Sequence, residues 1–485
     1  MRRLRQRSWF FPILLATLCG LRFASSLDAA ELFVGAASVS ITPDRPVALW
    51  GQLHTRISQG VESPVTANVV ALESRDGQSV LDQAFLVSCD LVAIPEEVLA
   101  RTRDRVKALQ ADFPVQKIVL SATHTHTAPV LMDGLYDIPT EGVMQPAEYV
   151  EFFAERTAGA ILKAWTARQP CQVSWGSGQA MVAHNRRAVY ADGSAAMYGR
   201  TDGANFRMIE GYEDHDLNAL FFWNQDNQLI ATAINVACPA QEVEGRSAVN
   251  ADFWHPVRES LRARFGSDLV VLGWTGAAGD QSPRPMFRKA AEERMRKLRG
   301  LDRLNDLARV IVRGWDEAYE GAIQDRHRDV PLVHHVEQLE LPRREVTERE
   351  WQLAKASEAD SAKEGKKTLV WWHGRVVKRY EQQQAGAVPP YVMELHVLRL
   401  GDIAIATNAF ELFTDYGIQI KARSPALQTF VVQLTGPGSY LASERAVQGG
   451  GYSAIVQSNE VGPEAGRILV DQTVDRLQQQ WQKKP

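Results

Sequence analysis

Apolar positions along the chain follow two periods. Leu32–Ser40 and Val65–Leu72 are apolar and rich in β-branched residues, and Ser79–Val92 (SVLDQAFLVSCDLV) suits a buried strand ending at Asp90. Glu96–Phe113 instead sets Val98, Leu99, Val106 and Leu109 on one helical side. Lys117–Ala122 is again a short buried strand, so strand, helix and strand at this spacing predict a parallel crossover unit. Ala147–Gln169 reads as a second amphipathic helix and Cys171–Asn185 as a return to strand alternation. Leu217–Phe222, Gln228–Ala237 and Leu269–Gly273 are apolar strands, with a helix over Phe253–Phe265 between the last two. Residues 286–384 are charged and mostly helical: Leu304–Ile323 carries an apolar stripe, whereas Thr347–Lys366 is polar all round, which predicts an exposed helix or a mobile insertion. Strands follow at Val392–Leu400, Ile403–Ala409 and Thr429–Leu434, and Pro463–Gln480 is one amphipathic helix. Without internal repeats or low-complexity linkers, the pattern predicts one large α/β domain over residues 31–485, built of mixed sheets and helices with a charged helical insertion at 286–384.

Composition narrows the class. The chain has 485 residues, 45% hydrophobic and 23% charged, the balance of a globular protein. Met1–Arg7 holds four arginines, Ser8–Leu21 is apolar, and Ala24-Ser25-Ser26 offers small residues for cleavage, so residues 1–26 read as a signal peptide for export to the periplasm or the extracellular space. The formal charge is −4; removal of Arg2, Arg3, Arg5, Arg7 and Arg22 takes it to −9, which leaves no electrostatic footprint for nucleic acid. Cys89, Cys171 and Cys238 remain, too few for a disulfide framework; at least one is expected to be buried or a ligand.

The chemistry-bearing residues cluster at predicted strand ends, where α/β folds bind ligands. Ser121-Ala-Thr-His124-Thr-His126-Thr127 follows a strand, and in an extended chain His124 and His126 share a face. Two such imidazoles suit a zinc ion; two polar loop histidines are the plain alternative. Asn235-Val-Ala-Cys238-Pro239-Ala-Gln241 offers a thiolate, or simply a buried cysteine. Gly273-Trp-Thr-Gly276-Ala-Ala-Gly279-Asp280-Gln281-Ser282-Pro283 brings three glycines and a serine after a strand but lacks the Lys-Ser/Thr of a P-loop. Glu411 ends another strand, and Tyr440 and Tyr452 stand 12 residues apart in glycine-rich loops.

This ordered set, together with Gly35-Ala-Ala-Ser-Val-Ser-Ile-Thr-Pro43 and Asn185-Arg186, resembles the catalytic domain of the neutral, non-lysosomal ceramidases over about Leu32 to Val470. The resemblance implies a single large catalytic domain and a zinc-dependent amide hydrolase acting on a small-molecule or lipid N-acyl substrate. For a lipid it also implies peripheral membrane contact, and it points to no protein partner. His124 matches the first zinc histidine, Glu411 the zinc carboxylate and Tyr440 the zinc tyrosine. His126 matches the catalytic histidine, Arg186 the arginine at the substrate carbonyl, Ser282 the serine near the scissile amide, and Tyr452 the second tyrosine.

One departure stands inside the motif. The family's second zinc histidine precedes a proline, and here Ala237-Cys238-Pro239 puts Cys238 in that place as a sulfur ligand. If instead the ligand position falls on Pro239, His255 is the nearby substitute. Two other function classes remain open at this level. One is a metal-free binding or surface protein that kept the fold. The other is an esterase-like hydrolase with Ser282 as nucleophile, although no Gly-x-Ser-x-Gly elbow supports it.

Overall fold

The two-residue alternation of the first strands sorts their side chains onto two faces. In the computed structural model, which describes residues 30–482, β1 (Glu31–Ser40), β2 (Thr66–Asp76) and β3 (Ser79–Cys89) run antiparallel in turn, and β4 (Ile118–Ala122) pairs parallel to β3. The predicted signal peptide at residues 1–26 lies outside the described residues. Val69, Ala71, Phe85, Val87 and Leu120 point to one side, against α1 (Glu96–Leu109) and α2 (Pro146–Thr166). Val70, Leu72, Leu86 and Val119 point to the other, into a core shared with two further sheets. Helix α1 makes the predicted parallel crossover from β3 to β4.

The same device recurs twice. In the second sheet Leu229–Val236 and Val270–Thr275 pair parallel, and α3 (Trp254–Phe265) connects them. Its outer face packs on α3; after the short α4 (Lys289–Leu298), α5 (Arg303–Ala322) covers the same face with Leu307, Ile311 and Trp315. The third sheet joins Leu332–Leu341, Tyr391–Leu400, Ile403–Thr407 and Gln428–Val432. Its last two strands are parallel, connected by α8 (Thr414–Arg423). Leu398, Ile405 and Phe430 enter the shared core; the outer face meets α8 and α10 (Pro463–Gln482), which follows α9 (Glu444–Gly449). Three sheets therefore meet on one central core, each with helices outside.

Residues 286–384 are not helical throughout. Leu332–Leu341 is a full strand, paired over its whole length with Tyr391–Leu400. Its sequence hides the fact, because the side chains of His334, His335, Glu337, Gln338 and Glu340 are polar on both faces of the alternation. Helices α6 (Glu348–Lys363) and α7 (Lys367–Gln384) form a hairpin that turns at Gly365, where φ is +69°. A capping box of Thr347 and Glu350 starts α6. Trp351 of α6 stacks on Tyr380 of α7 with ring centres 5.0 Å apart, and Ala354 is buried. The polar α6 is thus a packed partner of α7.

All three parallel pairs end on the same side. Loops leaving them are stitched together by backbone bonds: Ala122 N–H to Leu434 O, Ala240 N–H to Thr123 O, Gln433 N–H to Thr275 O, and Gly279 N–H to Leu412 O. That convergence assembles the site.

Candidate active site

His124 sits two residues past β4 with φ at +69°, a left-handed backbone that a histidine adopts at a cost. The two histidines do meet, with ring nitrogens Nε2 3.3 Å apart and ring centres 4.7 Å apart, edge to face. A strained turn brings them together, whereas the sequence pattern predicted an extended segment. The His124 Nδ1–H donates to Val92 O at 2.7 Å, and its Nε2 faces the Glu411 carboxylate at 3.3 Å. Burial alone would raise the Glu411 carboxyl; His124 beside it, and then Arg186, hold it below its ordinary range. The Tyr440 hydroxyl hydrogen-bonds Glu411, and its pKa is driven far up by burial and then by that carboxylate. Glu411 and Tyr440 are brought side by side by a two-residue parallel pairing of Glu411–Leu412 with Tyr440–Leu441.

Gln241 orders the other half. The Arg186 guanidinium donates to Gln241 Oε1 at 3.0 Å, so the Gln241 amide nitrogen is the atom facing His126 Nε2 at 2.7 Å. An amide N–H only donates, so His126 Nε2 accepts and its proton sits on Nδ1, 3.6 Å from Glu244. Burial, followed by the charges of His124, Arg186 and Arg56, keeps His126 neutral far below the usual histidine range. Arg186 also donates to Tyr440 Oη at 3.3 Å, to Gly279 O at 3.0 Å and to Tyr198 Oη at 3.2 Å. Arg186 is buried at 2% exposure and does not line the cavity. It acts through the residues it holds, a placement different from the expected contact with a substrate carbonyl.

Ser282 is fully buried beneath this layer. Its hydroxyl oxygen accepts from Tyr198 Oη and from Arg284 N–H, both at 3.1 Å, and no histidine pairs with it. That surrounding suits a support and gives no activation to a nucleophile. Tyr452 lines the cavity, 5.9 Å from the Tyr440 ring centre.

Cys238 lies elsewhere. It belongs to the apolar core between the second sheet and α3, with its thiol donating to Val182 O at 3.3 Å and its pKa pushed far up, first by burial. The turn after Val236 points the thiol inward and carries Gln241, three residues on, to the site. His255 is no substitute: it lies on α3 beside Glu62, Asp252 and Glu259, in a separate cleft. Cys89, Cys171 and Cys238 are all free and buried.

His124 Nε2 lies 3.3 Å from both His126 Nε2 and Glu411 Oε2, a gathering of donor atoms that a cation would suit. Among the described residues no three His, Cys, Asp or Glu side chains form a metal cluster. With a tyrosine as the third donor, His124, Glu411 and Tyr440 could supply three protein ligands and leave a fourth position open. The residues fit zinc in that three-ligand form and not in the four-ligand form with Cys238.

Sequence reasoning missed Gln241, Tyr198, Glu244 and the α7 residues Trp371 and Trp372 at the cavity. Only Gln241 carried a signal, as part of the strand-end segment that held Cys238.

No sequence-family model and no curated protein matches the chain. Solved structures do. A neutral ceramidase from Pseudomonas aeruginosa superposes with a TM-score of 0.67 at 16% identity, over 93% of this chain and 75% of that one. A structure described as a ceramidase complexed with C2 gives 0.66 at 13% identity, over 94% and 76%. The α/β fold of this chain, through nearly all of its length, is the fold of the neutral ceramidases.

Proposed function

We propose that the protein is an exported, zinc-dependent hydrolase of an N-acyl amide bond, in a small molecule or a lipid. One observation carries the reading: His124, His126, Glu411, Tyr440 and Tyr452 line a single cavity at the joined ends of three parallel strand pairs. His124, Glu411 and Tyr440 would hold the zinc, which when bound supplies a Lewis acid and an activated water. The chain's own groups do the rest. His126, a neutral imidazole at the cavity floor, would exchange the Gln241 N–H at Nε2 for the proton released as water attacks the carbonyl, then return that proton to the leaving amine. Tyr452, kept protonated by burial with its pKa raised to about 12, donates a hydrogen bond to the developing oxyanion. The buried Arg186 charge offsets Glu411, 3.9 Å away, and steadies the Tyr440 oxygen. The likeness to solved ceramidases supports the fold on which this chemistry is built.

Zinc content of the purified protein, followed by a panel of N-acyl amides, tests the reading. About one zinc per chain and release of free amine are expected. A protein that takes up no zinc and cleaves none of the amides would overturn it.

A further inference from the structure

The cavity over the site is polar as well as aromatic, and it holds one cation that the chemistry above leaves unused. Gln52, Ser439, Gln457 and Ser458 line it beside Trp371 and Trp372. The Ser458 hydroxyl oxygen is buried without a hydrogen-bond partner. Among the described residues of the lining, Glu411 is the one carboxylate and Arg375 the one guanidinium.

Helix α7 presents Arg375 to the cavity. Trp372 packs on Tyr452 with ring centres 5.7 Å apart, and Tyr452 meets Tyr440 at 5.9 Å. Arg375 follows Trp372 by three positions, so it neighbours Trp372 on the same helical face, about 5–6 Å away. Its guanidinium carbon lies 4.6 Å from the Trp371 ring centre. Stacking of this kind holds the plane of the group and leaves its N–H edge free to donate. The Arg375 side chain stays 36% exposed, so a ligand can reach it.

Its charge is not cancelled by the protein. Arg375 pairs with Glu460, but Arg343 pairs with the same carboxylate and Arg379 stands 3.6 Å from it. Arg344 pairs with Glu350 at 3.5 Å. Four guanidiniums therefore share two carboxylates; Glu96 and Glu464 act on Arg343 and Arg344 less than burial does. Burial first, and neighbouring arginines next, push Arg375 and Arg379 down to about 10, so both stay charged at neutral pH. As a pin for α7, Arg379 suffices: besides Glu460 it donates to Asn459 O at 2.9 Å and Val456 O at 2.8 Å. Arg375 adds positive charge at the cavity surface.

We propose that Arg375 binds an oxyanion carried by the substrate, whose class is then an N-acyl amide with a carboxylate that reaches the α7 wall while its amide carbonyl lies at His124 and Glu411. A carboxylate matches the planar edge of a guanidinium with two parallel N–H···O bonds. Gln457 and the unpartnered Ser458 hydroxyl offer further donors on the same lining. A neutral chain in this place would displace water from the guanidinium without replacing its hydrogen bonds.

This inference rests on the amide-hydrolase reading, and its test separates the two. Two series are offered to the purified protein supplied with zinc, and the released amine is measured. N-acetyl amino acids from glycine to aminohexanoate carry the carboxylate on the amine half. N-methyl monoamides of dicarboxylic acids from succinate to octanedioate carry it on the acyl half. Each compound is compared with its neutral carboxamide. In one series kcat/KM should favour the carboxylate by about 10- to 100-fold, the worth of one charge-assisted pair, chiefly through KM. The series that shows it identifies the half of the substrate at α7. Arg375→Gln should abolish that preference, whereas Arg379→Gln, which removes a Glu460 partner away from the lining, should keep it. Cleavage without preference for the carboxylate in either series overturns the inference and leaves the hydrolase reading intact. A preference that survives in Arg375→Gln also overturns it. If nothing is cleaved, the hydrolase reading fails, and calorimetric titration of the same carboxylates and carboxamides decides the anion site. Tighter binding of the carboxylates that is lost in Arg375→Gln supports it; equal affinity or no binding overturns it. Should Arg375→Gln not fold, Arg375→Lys keeps the charge without the two-point edge, and a preference that does not fall several-fold there overturns the inference.

Discussion

Gln241 donates its side-chain amide to His126 Nε2 over 2.7 Å while its oxygen accepts from Arg186. One carboxamide therefore fixes both the tautomer of the proposed base and the position of the buried cation. Removing it leaves Arg186 Nη1 short of a partner and His126 free to rotate. Gln241→Ala is expected to lower kcat by about 10- to 100-fold, the usual scale for a group that orients another, with KM nearly unchanged. Steady-state kinetics on the best N-acyl substrate check this. A rise in KM at constant kcat would mean that Gln241 touches substrate instead.

His124 and Cys238 make opposite predictions about zinc. His124→Ala and Glu411→Ala each remove one of three donors, so metal content and turnover should vanish together. Cys238→Ser should keep its zinc, because the thiol is spent on Val182 O inside an apolar core. It should cost about 1–3 kcal/mol of stability, the price of a more polar group in that place. Mass spectrometry of the folded variants reads the metal; loss of zinc from Cys238→Ser would return the thiol to the ligand set.

How much of this was legible depends on which physical signal a residue leaves. Strands such as β2 and β3 were plain, because Val69 and Val70, or Leu86 and Val87, serve opposite faces that are both buried. The strand Leu332–Leu341 was not, because buried His334 and His396 pair with each other and with Glu394, giving a polar sequence to an interior position. His124, His126, Glu411, Tyr440 and Tyr452 were legible through motif order and are gathered at one cavity. Cys238 was misplaced because order along a strand-end loop does not tell which residue turns inward. Trp371 and Trp372 were invisible for a different reason: their place over the cavity is set by long-range ties such as Arg375 to Glu460, which no local pattern encodes.

Gly51 touches the base directly. A Cβ at this position would lie 2.3 Å from His126 Cγ, and the backbone φ of +105° already disfavours any side chain. Gly51→Ala therefore has to displace the imidazole or the loop that carries Trp50 and Leu53. A loss of about 10²-fold in kcat is expected from a shift near 1 Å, with destabilisation of about 1 kcal/mol or more. The split between rate and stability is the check: an unfolded variant at the assay temperature would appear as lost protein, whereas the expected variant is folded and slow.

Asp252 links stability to pH. Its carboxyl is buried at 1% exposure and pushed up to about 7 by burial, against the pull of the Val243 and Phe253 amides. An unfolded aspartate titrates near about 3.9, so between about pH 4 and 7 the folded chain holds a proton that the unfolded chain has released. The raised pKa contributes stability that is fully present below about pH 4 and is lost as pH rises through about 7, a span on the order of a few kcal/mol. Asp252→Asn removes the ionisation, and asparagine tolerates the left-handed φ of +54° found there. It gives up one of two accepted hydrogen bonds, so the variant starts less stable at pH 4.5. Denaturant unfolding at pH 4.5 and pH 8 should show the deficit shrinking by more than about 1 kcal/mol as pH rises. The other titrating groups are common to both proteins and cancel in the difference, so a deficit that stays constant would mean Asp252 ionises as easily folded as unfolded.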